Sequence, residues 1–387
     1  MLLHNARVVL PDRTAEKASL LIHDDRIAQV IEPASSQLPA ADSVIDLSGL
    51  TLFPGFVDAH IHGAFGVDTM AATAEDLHLV ARFLARQGVT AWLPTFVPAP
   101  DDDYRHAVEA IEVLISQQDA RPAAARVVGV HYEGPFVNQQ QCGALQTKFF
   151  RTYAQPSDLE QLPTPKVANV VKMMTLAPEI EGGVELIREL DARGWVASIG
   201  HTRAPVDLLD RAFTAGAHHM THFMNAMTPL HHRSPGPVGW GLARDGVTCD
   251  IIADGIHLDP LVLSLLLKHK TPDRLMLISD AIAAAGQGDG EYKIWGETIT
   301  VEEGRTSNAR GSIAGSVITM LDAARMMQAL GATQCDIARM TATNPARLLR
   351  MDDCGAIEEG KRADLVALDD VGNVRLTIVG GREAYQA

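Results

Sequence analysis

From Phe53 onward the chain alternates short, nearly uninterrupted apolar runs with longer segments whose apolar residues recur every three or four positions, and few folds satisfy that rhythm. A strand that is apolar on both faces must be covered on both faces. Parallel sheets meet this requirement because each helical crossover also lies over the sheet. After the opening run at Phe53, strand-like runs fall at residues 89–93, 126–131, 195–201, 217–222, 247–253 and 274–280. Between them, Leu77, Val80, Ala81 and Leu84 mark a helix that stops at Gly88. Leu208, Leu209, Ala212 and Phe213 mark another that stops at Gly216. Residues 317–330 and 336–350 read as later helices, with Asn344-Pro345 as an interruption or start signal in the second. The economical architecture is α/β: a (β/α)8 TIM-like barrel over residues 53–350.

Both chain ends have a different texture. Residues 2–10, 19–22, 26–31 and 43–47 read as short strands between turn residues, and strand texture returns at 363–368 and 374–379. Residues 1–52 and 351–387 are therefore expected to pair into one small β-sandwich domain. Charge narrows the partners: 33 basic against 48 acidic residues leave −15, which repels phosphate backbones and anionic lipid. No nucleic acid and no membrane partner is expected, and the apolar run 261–267 is far shorter than the roughly 20 residues of a membrane span. A small anion remains possible at a local Arg or Lys. The widely spaced Cys142, Cys249, Cys335 and Cys354, and an N-terminus without export features, suit a cytoplasmic protein.

Chemistry in such a barrel sits where strands end. Asp58, His60 and His62 occupy alternate positions, so strand periodicity puts all three on one face, where two imidazoles can grip one metal ion. A bare His-x-His is weak evidence. Other strand ends add Glu133, His201, His222 and Asp280, and an isolated Glu in a loop would mean little without that company. Imidazoles and carboxylates without thiolates suit zinc, iron(II), manganese or cobalt, and an open coordination position suits metal-assisted hydrolysis. Asp280 is the natural proton shuttle between water and leaving group. Plainer readings are preferred for the other histidines. His4, His23, His78, His106 and His269 receive no function, His131 reads as a satisfied interior group, and His218 and His219 read as supports of the sheet. His231 and His232, beside Arg233, fit a solvated loop and a phosphate site equally.

Taken in order, several segments resemble the amidohydrolase superfamily and, within it, the N-acetylglucosamine-6-phosphate deacetylase family. They are residues 54–63 (PGFVDAHIHG), 133–136 (EGPF), 200–202 (GHT), 221–227 (THFMNAM), 254–257 (DGIH), 279–281 (SDA), 314–316 (AGS) and 355–366 (GAIEEGKRADLV). The resemblance implies that Glu133, His201 and His222 hold the principal metal. His60 and His62, lost in some members, would allow a second ion, with Glu133 bridging and Asp280 as both ligand and proton-transfer residue. It implies a divalent cofactor, one or two per chain, with zinc the first choice. Asn225, Ala226 and His257 match substrate contacts, Ile313, Ala314 and Gly315 match a backbone segment lining the sugar pocket, and Arg233 matches an Arg that reaches the neighbouring active site of a homodimer. Twelve residues past Glu133, in the Ala144-Leu145 stretch, the family usually places a His or Gln that contacts the substrate near its amide. Here the residue is Leu145, with Gln146 one position later.

The expected activity is hydrolysis of the acetamide of N-acetylglucosamine 6-phosphate to glucosamine 6-phosphate and acetate. Alternatives are deacetylation of another N-acetylhexosamine or its phosphate, hydrolysis of another amide such as an N-acyl amino acid, and, last, a non-catalytic scaffold. The complete ligand set argues against the scaffold.

Overall fold

In the computed structural model, which describes residues 1–32 and 38–387, the apolar runs line up side by side as one parallel layer. Residues 33–37 of the expected terminal stretch lie outside the described residues. The barrel strands are Phe56–Ile61, Val89–Phe96, Gly129–Glu133, Val171–Leu176, Val196–Ile199, His219–Met220, Thr248–Ile251 and Leu275–Leu277. Each pairs in parallel with the next. The eighth meets the first just beyond its own end. There Asp280 N–H donates to the His60 carbonyl at 2.9 Å and His62 N–H to the Ala281 carbonyl at 2.8 Å. Asp58 strengthens that seam, accepting from the Ser279 hydroxyl at 2.6 Å and the Ser279 N–H at 3.2 Å. The alternation that puts Asp58 on one face with His60 and His62 is interrupted by a register shift between Asp58 and Ile61, and Asp58 ties the barrel rather than joining the two histidines.

The fourth strand was not among the expected runs. Val171–Leu176 contains Lys172 and two methionines, residues with little strand preference, and only its neighbours pull it into the ladder. The expected run 126–131 divides into Arg126–Val127 and Gly129–Glu133. Gly129 permits close approach to the fourth strand, since a Cβ there would sit 1.9 Å from the Val171 carbonyl oxygen.

Helices follow the apolar spacing and end where local chemistry requires. Ala74–Arg86 buries Leu77, Val80, Ala81 and Leu84 and opens with a Thr73–Asp76 capping box. The helix expected from 317 starts later, as Met320–Ala329, because Thr319 and Asp322 form the same box. The last expected helix is Gln334–Ala338, a π-helical turn over Arg339–Thr343, then Asn344–Leu348. Pro345 has no N–H to give an unbroken α-helix. Asn344 fixes the turn by donating to the Pro272 and Leu275 carbonyls, both at 2.7 Å.

Among the described residues three sheets lie outside the barrel wall, the smallest a pairing of Gly63–Ala64 with Val67–Asp68. Gly290–Ile294, Glu297–Glu302 and Arg305–Ser307 form a small antiparallel sheet that the sequence reading did not single out. The chain ends share the third, an eight-stranded sheet in which Thr51–Pro54 from the N-terminal part pairs with Leu365–Leu368 from the C-terminal part. Leu3, Leu20, Leu52, Leu365 and Ile378 meet in one apolar cluster, so the sheet folds over a core of its own to which both ends contribute. All four cysteines are unpaired. Among the described residues, no helix is long and apolar enough to cross a membrane.

Asp58→Ala should leave the Ser279 hydroxyl and N–H unpaired at the seam, at about 1–3 kcal/mol for each group. The expected outcome is a urea midpoint clearly below wild type. An unchanged midpoint would mean that Asp58 does not hold the barrel closed.

Candidate active site

Six side chains from five strand ends converge on the barrel mouth, and Glu133 stands at their centre. Its Oε1 lies 2.9 Å from His201 Nε2 and 3.0 Å from His222 Nε2, which are 3.2 Å from each other. Its Oε2 lies 3.4 Å from His62 Nε2, which is 3.1 Å from His60 Nε2. Asp280 Oδ1 completes the second group, 3.2 Å from His62 and 3.4 Å from His60. One carboxylate thus serves two adjoining sets of ligand atoms, one on each oxygen.

Imidazole nitrogens do not crowd to 3 Å for packing alone. Four tetrahedral ligands at about 2.0–2.1 Å from a zinc-sized ion lie roughly 3.3–3.4 Å apart, and the observed edges of 2.9–3.2 Å around Glu133, His201 and His222 come close to that cage. Both sets meet the distance requirement for a shared ion. The donor set, nitrogen and carboxylate oxygen without sulfur, fits a divalent cation.

Charge at the centre agrees. Burial opposes ionisation of Glu133, yet hydrogen bonds from His201, His222 and His62 hold its carboxyl well below the usual range. Burial likewise opposes protonation of His62, but the Asp280 and Glu133 carboxylates push it up to about 10. Glu133 pushes His222 up to about 9 against the same burial. Burial, followed by His131, holds His60 well below its ordinary value against the opposing charge of Glu133. A bound cation would take the place of the imidazolium protons, so binding releases protons.

The backbone aims these groups at some cost. His201, His222 and Asp280 have φ of 47°, 31° and 49°, the left-handed region, which costs a non-glycine residue about 1–2 kcal/mol. Such strain persists where the surroundings over-determine it. For His222 the surroundings are Asp250, which accepts the His222 N–H on one oxygen and bonds His219 Nε2 at 2.9 Å on the other. His219 also reaches Thr248 at 2.9 Å. His131 bonds the Ala59 carbonyl at 3.1 Å and the Thr175 hydroxyl at 2.8 Å, and burial lowers it to about 3, so it is a neutral group of the interior.

A cavity of about 240 Å3 opens over the centre. His62, Glu133, His201, His222 and Asp280 line it, whereas His60 is fully buried beneath. Ala144, Leu145, Asn225, Ala226, His257, Ile313 and Gly315 are also in its wall. Asn225 Nδ2 is buried with no partner in the protein, an amide donor left for a ligand. Asp254 fixes His257, with Oδ2 2.6 Å from Nδ1. Burial would raise the Asp254 carboxyl, but the bonds from His257 hold it below its ordinary value.

Two expected residues lie elsewhere. Ala314 packs with Ile282 and Ile299 and gives its N–H to the Thr306 hydroxyl at 3.1 Å, so the segment faces the cavity through Ser312, Ile313 and Gly315 instead. Arg233 is exposed, outside this chain's cavity, with Nη1 2.7 Å from His232 Nε2. Gly143, Ile252, Trp295 and Ser312 line the cavity without having been singled out. Two-residue hairpin turns are signalled by Asn, Asp or Gly before a glycine, and Trp295 before Gly296 gives no such local signal.

Residues 51–384 match the Amidohydrolase family. The chain is 37% identical over 398 residues to the N-acetylglucosamine-6-phosphate deacetylase of Bacillus subtilis (strain 168), covering 100% of this chain and 97% of the relative. It is 36% identical over 365 residues to the N-acetylgalactosamine-6-phosphate deacetylase of Escherichia coli O157:H7, covering 94% of each. A solved structure of a mutant N-acetyl-D-glucosamine-6-phosphate deacetylase from Mycobacterium smegmatis, in complex with N-acetyl-D-glucosamine-6-phosphate, superimposes with a TM-score of 0.88. It is 31% identical, with 100% of this chain and 99% of that chain covered.

Because Glu133 contributes to both ligand sets, Glu133→Gln should weaken divalent-cation retention more than His60→Ala, which touches only one. After dialysis against trace metal, elemental analysis should show the Gln variant nearly empty and the His60 variant partly loaded. Equal retention in the two would remove Glu133 from its central place.

Proposed function

Since the chain belongs to the amidohydrolase family and matches N-acetylhexosamine-6-phosphate deacetylases over nearly its whole length, we propose that it hydrolyses N-acetylglucosamine 6-phosphate to glucosamine 6-phosphate and acetate. One observation carries the reading: an inward-facing set of His60, His62, Glu133, His201, His222 and Asp280 stands under a cavity that also holds Asn225 and His257.

Glu133, His201 and His222 would hold a divalent cation, with His60, His62 and Asp280 able to share a second, and such a cation would supply Lewis-acid polarisation of the acetyl carbonyl and a more acidic water. We assign zinc, with iron, manganese or cobalt as alternatives, from the nitrogen and oxygen donors. Asp280 takes a proton from the attacking water and passes it to the departing sugar nitrogen. The Asp280 backbone is pinned on both sides, its N–H to the His60 carbonyl and its carbonyl to the Ser316 N–H at 2.8 Å, so the carboxylate stays aimed at the reacting amide. Asn225 and the Ala226 backbone receive the phosphate end. His257, with Nδ1 engaged by Asp254, offers Nε2 to the same end, and the backbone at Ile313 and Gly315 borders the sugar.

Arg233 supplies the focused positive charge that an acidic protein needs for an anionic substrate. Its guanidinium fork suits phosphate oxygens, and we place it at the active site of the neighbouring copy in a homodimer. Four unpaired cysteines suit a cytoplasmic setting. A second reading, the galactosamine epimer as substrate, is favoured by the near-equal identity to the Escherichia coli relative.

Metal-reconstituted protein should release acetate from N-acetylglucosamine 6-phosphate far faster than from the unphosphorylated sugar. Asp280→Asn should lower that rate by about 10²–10⁴-fold while leaving a loaded centre. Near wild-type turnover of this variant would exclude the proton-transfer role, and greater turnover of the galacto epimer would favour the second reading. Arg233→Ala should raise KM for the phosphorylated sugar selectively. A uniform effect on phosphorylated and neutral substrates would instead make Arg233 structural.

A further inference from the structure

The cavity over the centre, about 240 Å3, shares a wall with a larger one of about 930 Å3. Ala144, Leu145 and Trp295 line both, whereas Gln146 lines only the larger. Leu145 stands where the resemblance leads one to expect a polar group near the substrate amide, and it is almost wholly buried.

Trp295 reaches the wall from an unusual conformation. Ile294 pairs directly with Glu297, so Trp295 and Gly296 are the whole turn, with φ of 54° and 75°. Both are left-handed, the arrangement that Asn, Asp and Gly fill in tight hairpins. A bulky residue there is an outlier, and an outlier at a site is grounds for a functional hypothesis. The Trp295 indole meets the His62 ring edge-on, with centroids 5.1 Å apart and planes at 80°. The wall is also fastened across its two halves. The Gln146 side-chain amide donates to the Trp295 carbonyl, and the Arg310 guanidinium donates to the Ala144 carbonyl at 3.0 Å.

Position in the ring gives the wall its direction. Leu145 follows the third strand and Trp295 packs on His62 after the first, whereas Asn225 and His257 follow the sixth and seventh. A substrate with its phosphate over the sixth and seventh strands and its amide at the centre sends its acyl group toward the opposite side of the mouth. We propose that Leu145 and Trp295 set the acyl-chain limit of this enzyme, stopping the group at acetyl and closing it off from the larger cavity. The proposal rests on the deacetylase reading and adds two specificity-determining residues to it.

The test compares kcat/KM for N-acetyl-, N-butyryl- and N-hexanoyl-glucosamine 6-phosphate in wild type, Trp295→Gly and Leu145→Ala. Glycine removes the indole and is at ease in the left-handed turn. Leu145→Ala opens the same wall from the other element, so the two variants are independent. Wild type should fall steeply beyond acetyl. In each variant the butyryl-to-acetyl ratio should rise by about fourfold per methylene admitted, up to about sixteenfold for the two extra methylenes, and the hexanoyl ratio should rise further. Wild type that accepts hexanoyl as well as acetyl overturns the wall, as do unmoved ratios in both variants when they are folded, loaded with metal and turning over acetyl. Failure of wild type to release acetate from any N-acetylhexosamine phosphate overturns the deacetylase reading, and the wall with it.

Discussion

The structure turns on one costly arrangement: imidazole nitrogens and carboxylate oxygens from five strand ends, each 2.9–3.4 Å from its neighbours in a buried place. No local sequence preference produces such crowding. It exists because a closed ring of parallel strands points its ends at one volume, and because the chain bends at His201, His222 and Asp280 into the left-handed conformation that completes the aim. Glu133 makes the arrangement tolerable, since Oε1 faces His201 and His222 and Oε2 faces His62, ring nitrogens that with a cation between them would balance its charge.

Stability and chemistry share parts at the seam between the first and eighth strands. Asp58 bonds Ser279, the Ser279 carbonyl accepts from the Ser316 hydroxyl, and Asp280 between them bonds backbone on both sides. Gly315 belongs to the same assembly: at φ 60° a Cβ would come within 2.8 Å of the Asp280 carbonyl oxygen. Residues that close the barrel are therefore also those that orient the Asp280 carboxylate. A second layer, His219 and Asp250 behind His222, does the same for the His222 ring and holds its strained backbone.

The small antiparallel sheet after the eighth strand brings a different kind of constraint to the mouth. Its core residues Ile294, Ile299 and Val301 pack with Ile282 and Ala314, so it is rooted in the barrel rim rather than free above it. Rooting makes its turn a fixed wall, and the fixed wall explains how a site whose ligands face an open barrel end encloses only a small cavity. The Trp295 wall and the cluster of His and carboxylate ligand atoms then belong to different elements of a common scaffold.

Much was legible in the sequence because it depends on period and position. Apolar runs alternating with helical spacing gave the barrel, the turn-rich ends gave a shared sheet, and strand ends carrying His60, His62, Glu133, His201, His222 and Asp280 gave the centre. What escaped depends on partners distant in sequence. Val171–Leu176 becomes a strand through its neighbours, not its own residues. Ala314 turns into the core because the Thr306 hydroxyl takes its N–H. Trp295 reaches His62, 233 positions earlier in the chain, only through the placement of a hairpin. Local pattern determined which residues stand at strand ends and what chemistry they can do. Tertiary packing alone decided which surfaces meet across the mouth, because contacts between segments far apart in sequence leave no periodic trace within either one.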